Sequence, residues 1–314
     1  MAVLQQMIVL FIVMLVGLFA YKKAIITDET SKKLSSLVAN ISNPALILSS
    51  VIGDNTGIQT NTLIEVVVIS IMMFAGLMLL SLILPKVIRS KKESSSTYKI
   101  MTVFSNIGFM GFPVISSIYG SEALLYASIF LLPYNLLIYT YGVQSYSKGS
   151  SNKKQTSWKQ SIRSVLNNGV IASVLAIIIF ALNVQLPTSI GSAISMVGGL
   201  TSPLSMMIIG ASLALIDFRE LIQDKQLIIF SIIKLIVIPI ISVLIIVAFI
   251  QNEVIAGITV LMMAMPVGSM TAILAQEYGG NYELNSKGVA FTTILSVITI
   301  PVVFNIFQKL LEIC

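Results

Sequence analysis

Long apolar blocks separated by short polar connections pattern the whole chain. A hydrocarbon core about 30 Å thick takes roughly 20 apolar residues per helix. Ten blocks meet that length, near 1 to 21, 32 to 52, 61 to 84, 99 to 119, 122 to 146, 165 to 183, 188 to 216, 226 to 250, 253 to 277 and 286 to 311, the sixth being the shortest. The pattern therefore predicts an all-α polytopic membrane protein with ten transmembrane helices. The first block has no basic residues before it and no small-residue cleavage site after it, so it reads as a retained span and not a signal peptide.

Charge orients these spans. Of the 19 Lys and Arg, 17 flank the odd-numbered connections, whereas the even-numbered connections, such as GDNTGIQTN and NVQLPTS, hold none. By the positive-inside rule the odd connections are cytoplasmic and both termini face outward. The net charge of +6 is thus accounted for by short loops, with anionic lipid as a further contact, and nucleic acid is not an expected partner. A hydrophobic fraction of 56% with 10% charged residues agrees with a bilayer location. There is no His, and the single Cys is residue 314, so histidine acid/base chemistry, a Cys/His metal site and an internal disulfide are all excluded. No Walker loop, Rossmann fingerprint or zinc motif is present, no catalytic dyad is visible, and neither a cofactor nor an enzymatic role is expected.

The longest hydrophilic stretch, 147 to 164, divides the chain into 1 to 146 and 165 to 314, each with five spans. Because five is odd, the two units enter the membrane in opposite senses. Features also recur 159 residues apart: Asn43-Pro44 with Ser202-Pro203, and Tyr119-Gly120 with Tyr278-Gly279. A glycine and proline interruption recurs as GFMGFP at 108 to 113 and MPVG at 265 to 268. Gly/Pro-interrupted spans in matching positions of inverted halves point to a transporter's binding site. On this reading Pro113 and Pro266 break the fourth and ninth spans, leaving the carbonyls of Phe109 and Met262 without a backbone donor. Crossing the broken helices would aim half-helix N-termini at one point, where an anion or carboxylate would be held.

The candidate binding residues are Asn106, Ser105, Gly108, Gly111 and Pro113 around the first interruption, with Ser116 and Ser117 beyond it. Around the second they are Pro266, Gly268, Ser269 and Thr271, with Gln276 beyond. Asn106 is the preferred anchor, since an amide can bind a carboxylate without burying a second charge; a plain helix-to-helix hydrogen bond is the competing reading. Lys234 lies about 12 Å into the eighth span, at 1.5 Å per residue. It is either an anion attractor or proton-coupling group, or a side chain snorkelling to the interface. Glu65 and Glu277 read as interfacial. Asn43, Pro44 and Pro203 read as structural breaks outside the binding point.

At NIGFMGFP (106 to 113), MPVG followed by AQEYG (265 to 279), KLIVIP (234 to 239) and NPAL (43 to 46), the chain resembles the auxin efflux carrier family, whose bacterial members include malate or malonate permeases. The resemblance covers nearly all of the chain. It implies two inverted five-helix repeats with crossed broken helices 4 and 9, a sodium/bile-acid symporter-like fold. It also implies a scaffold of helices 1, 2, 6 and 7 through which a homodimer would form, and a transport domain of helices 3 to 5 and 8 to 10. The implied substrate is a small organic anion, with Asn106 at the family's polar position. A sodium-coupled carrier of the bile-acid type, and a sensor or channel without coupled transport, are the alternatives. Plant members carry a long cytoplasmic segment between halves; here only the stretch around 147 to 163 stands in its place.

Overall fold

The computed structural model describes residues 2 to 52, 60 to 147, 168 to 182, 184 to 214, 221 and 223 to 312. Among them the secondary structure is helical, apart from one isolated bridge between Ser105 and Val267. In chain order the helices are α1 (Ala2–Lys22), α2 (Asp28–Leu37), α3 (Asn43–Ser49), α4 (Thr60–Val87), α5 (Lys92–Val103), α6 (Phe112–Tyr119), α7 (Ala123–Ile129), α8 (Leu131–Leu137) and α9 (Val143–Ser147). They continue with α10 (Asn168–Ala181), α11 (Thr188–Gly199), α12 (Thr201–Leu213), α13 (Lys225–Ile232), α14 (Ile238–Phe249), α15 (Glu253–Ala264), α16 (Met270–Tyr278) and α17 (Tyr282–Leu311). Five stretches among the described residues are long and apolar enough to cross a membrane: Thr62–Val87, Ala123–Tyr146, Thr188–Leu213, Lys225–Phe249 and Tyr282–Leu311. The polar linker expected at 147 to 164 lies, after Ser147, outside the described residues.

Large apolar side chains face outward along these helices. On α4, Ile64, Val68, Ile71, Met72, Leu79 and Ile83 are exposed while Ser70 and Ser81 are buried. That arrangement suits a lipid surround, because apolar faces meet acyl chains and polar groups are satisfied inside. Buried hydroxyls do this locally: Thr102, Ser231, Ser242 and Thr259 each donate to the carbonyl four residues back.

Prolines are accommodated in a way the sequence reading did not anticipate. Wide helical turns at Val38–Ser42, Ile107–Gly111 and Ile233–Val237 each end two residues before a proline: Pro44, Pro113 and Pro239. In two of them the amide just ahead of the proline reaches five residues back, Asn43 to Val38 and Ile238 to Ile233. The extra residue carries the chain past the position where the proline ring would clash, and the helix continues. Pro203 sits in the first turn of α12, where its missing amide hydrogen is not needed. Pro44 and Pro203 therefore lie in the first turns of helices and not at unpaired breaks.

The chain resolves into two compact units, neither of them contiguous: residues 1 to 68, 108 to 132 and 166 to 215, and residues 69 to 107, 133 to 165 and 216 to 314. The first unit holds α1, packed along α12. A Cβ added at Gly17 would meet the main chain of Met207, and one at Gly210 would meet the carbonyl of Met14. One glycine on each helix, facing the backbone of the other helix, lets the two approach closely, as small residues do in membranes. Gly210→Leu is expected to destabilise the protein by about 3 kcal/mol, the upper end for overpacking. A thermal melt in detergent checks this, and an unchanged midpoint would mean that the helices are not in such contact.

The second unit has a core of Leu84, Ile88, Tyr98, Met101, Leu227, Phe230, Val267 and Leu284, drawn from five separate segments. In the helical stretch that supplies part of it, Leu227, Phe230, Ser231 and Lys234 are buried, whereas Ile232, Ile236 and Val237 face outward. A 3.6-residue repeat therefore turns Lys234 to the inside together with Leu227 and Phe230.

Candidate functional site

Two helices of the second unit stop in mid-course and pair through extended backbone. Helix α5 ends at Val103, and Phe104 is extended at φ −103° and ψ 94°. Helix α15 ends at Ala264, and Met265 is extended at φ −63° and ψ 144°. The Asn106 amide donates to the Pro266 carbonyl at 2.7 Å, and the Gly268 amide donates to the Phe104 carbonyl at 2.9 Å. These two bonds flank the antiparallel Ser105–Val267 bridge. Backbone groups freed by stopping both helices thus satisfy each other, as a buried main chain requires.

Side chains complete the accounting. The Val267 amide donates to the Thr292 hydroxyl at 3.0 Å, and that hydroxyl donates in turn to the Gly288 carbonyl at 2.7 Å. The Gly268 carbonyl accepts from both the amide and the hydroxyl of Thr271, at 3.0 and 2.8 Å. A Cβ on Gly268 would stand 3.0 Å from the Ser105 carbonyl oxygen and 3.2 Å from the Tyr134 hydroxyl, so glycine permits the close approach. The Tyr134 ring meets those of Phe104 and Phe74 edge-on, at 5.4 and 6.1 Å between centroids.

Lys234 enters this arrangement directly. Its ammonium donates to the Thr102 carbonyl at 2.9 Å and to the Ser105 hydroxyl at 2.7 Å, and the residue is fully buried. Of the two readings of Lys234, snorkelling does not describe this arrangement: freed carbonyls at the end of α5 draw the ammonium inward, where the helix C-terminus carries partial negative charge. Among the described residues no carboxylate lies within ion-pair distance of it.

Asn106 is 5% exposed, and its side-chain Nδ2 is a buried donor without a hydrogen-bond partner. An orphaned buried donor costs about 1 to 3 kcal/mol, so its retention calls for a ligand or a functional reason. Successive residues of extended backbone point to opposite faces, so Ser105 and Asn106 are directed oppositely from the bridge.

The structure therefore brings together Ser105, Asn106, Pro266, Gly268 and Lys234, with Thr271 bracing the same loop. Ser269 follows at the start of α16, half-buried, and its side chain does not cap the helix. Gln276 is exposed. Gly108, Gly111, Pro113, Ser116 and Ser117 fall in the first unit, where Ser117 is exposed and donates to the Val114 carbonyl. Gly108 lies beside Asn43, the Nδ2 of which is 3.7 Å from the Cβ position. The break assigned to Pro113 is corrected: the chain is extended at Phe104, and helical turns run from Ile107 through Pro113 to Tyr119. Pro266, by contrast, lies within its break. Thr102, Tyr134 and Thr292 escaped the sequence reading. The only signal for Thr292 is a threonine pair inside an apolar block, which most often means a local backbone hydrogen bond.

A model of membrane transport proteins matches residues 2 to 304. The chain belongs to the auxin efflux carrier family. Among relatives of this family member, an uncharacterized transporter of Methanothermobacter thermautotrophicus is 26% identical over 302 residues, covering 95% of this chain and 96% of its own. Uncharacterized transporter MJ1031 of Methanocaldococcus jannaschii is 24% identical over 319 residues, with 95% and 96% covered. Uncharacterized transporter YfdV of Escherichia coli is 22% identical over 298 residues, with 93% of each chain covered. Membership of the auxin efflux carrier family makes this protein a multi-pass membrane transporter, and the paired breaks are its candidate transport site.

Proposed function

We propose that the protein is a secondary carrier of a small organic anion, a dicarboxylate of the malate type, across the cell membrane. The observation that carries the reading is the unpartnered Nδ2 donor of Asn106, buried beside the backbone bridge of two interrupted helices. A carboxylate oxygen is the acceptor such a donor lacks, and a charge-assisted bond is about twice as strong as a neutral one.

In this proposal ten helices form two inverted five-helix repeats. Support comes from Gly120 and Gly279, 159 residues apart, which both follow a helix with positive φ, 84° and 80°. The odd connections are cytoplasmic and both termini outside, in line with the distribution of Lys and Arg. Helices α1 to α3 and α10 to α12 serve as scaffold and dimer contact. The remaining spans carry the bridge and the substrate by alternating access. No covalent step and no cofactor is involved.

Purified protein in liposomes loaded with unlabelled malate should accumulate labelled malate by counterflow, and other dicarboxylates should compete while amines do not. Absence of exchange with every member of a carboxylate panel would overturn the proposal.

A further inference from the structure

Lys234 offers an inference that depends on the bridge geometry but not on the identity of any substrate. A fully buried ammonium normally needs an acid partner, and among the described residues none is within reach. Its acceptors are instead two neutral oxygens, the Thr102 carbonyl and the Ser105 hydroxyl, at the end of an interrupted helix. Carbonyls of unwound backbone and half-helix C-termini, together with hydroxyl oxygens, are the ligand type that holds a monovalent cation in broken-helix carriers.

We propose that the Lys234 ammonium is a tethered cation, seated on the Thr102 and Ser105 oxygens in the place of a free monovalent ion, and that it positions the end of α5 for the bridge. The wide turn at Ile233–Val237 and the buried stripe of Leu227, Phe230 and Ser231 hold the lysine stem toward this end of α5. Once the ammonium is seated, the helix terminus has its countercharge, and Phe104 and Asn106 are free to pair with Gly268 and Pro266. Lys234 is thus a positioning residue. No exchangeable ion is required at these two oxygens.

Thermal melts of the purified full-length protein test this without any substrate, so the outcome is independent of the transport reading. With choline chloride as constant-ionic-strength background, the wild type should melt at the same temperature when choline is replaced by sodium. Saturable stabilisation of the wild type by sodium would overturn the proposal. Lys234→Ala should melt lower by on the order of 5 °C in choline. It should recover in a saturable manner with ammonium or methylammonium, but not with tetramethylammonium. Lys234→Met, which fills the space without charge, should be destabilised and not rescued. Either variant melting like the wild type, or Lys234→Ala responding to no small cation, would refute the assignment. Should Lys234→Ala not fold, the wild-type and Lys234→Met arms decide.

Discussion

Asn106→Ala is expected to lower uptake roughly 10- to 150-fold, the loss of one hydrogen bond from a buried amide to a charged ligand, about 1.5 to 3 kcal/mol. The thermal midpoint of the empty protein should not fall, because relief of the unsatisfied donor offsets the packing lost with the side chain. The two readings of the residue separate here. If the Asn106 amide joined two helices, removing it would break a bond and lower stability. In the structure its Nδ2 has no partner, so its deletion breaks no bond from that atom and removes an unsatisfied donor. The Asn106 main-chain bond to Pro266 does not depend on the side chain and survives the substitution. Uptake into proteoliposomes and a melt of the same preparation provide both readouts. Normal uptake by Asn106→Ala would remove the proposed anchor, and an equal loss of stability and uptake would return the residue to a structural role.

Gly268→Val should abolish transport and also destabilise the second unit. A β-carbon there would sit 3.0 Å from the Ser105 carbonyl oxygen and 3.2 Å from the Ser105 carbonyl carbon and the Tyr134 hydroxyl. The tyrosine can yield a little, but the backbone of Ser105 cannot, because bonds on both sides of it tie the strands together at 2.7 and 2.9 Å. Overpacking costs about 1 to 3 kcal/mol where side chains can adjust, and the cost here falls on main chain. Gly268→Ala should show the same effects in milder form, since it lacks the branched methyls. Melting and uptake measurements on both variants check the order. Transport by Gly268→Val at the wild-type level would mean that the two extended segments are not in contact while the carrier works.

Much of the fold was legible in the chain because bilayer thickness fixes the length of an apolar block, and five long apolar helices appear where such blocks were marked. Helix starts were less legible. Helix α5 begins at Lys92, seven residues before the apolar block, because KESSSTYK forms helix with Glu93 in its first turn. Hydropathy registers solvent preference and is blind to a polar stretch that is nonetheless helical. Of the candidate site, the second interruption at 265 to 268 was legible in place, the first only to within a few residues, since the extended stretch is 104 to 106, and Lys234 only as one of two readings.

What the sequence determined by itself was the all-helical membrane class, which follows from a local quantity, the length of apolar runs. Proline positions alone did not fix the breaks, since Pro44, Pro113, Pro203 and Pro239 all lie within helix. Tertiary structure alone decided which backbone groups meet. The first break moved from Pro113 to Phe104, because a widened turn absorbs the proline while the extended residues find partners in Pro266 and Gly268. Lys234 came to cap Thr102 and Ser105, and Thr292 to receive the Val267 amide, through contacts between residues far apart in the chain. A buried hydrogen bond depends on where two groups end up in space, and no spacing along one strand of sequence encodes that distance.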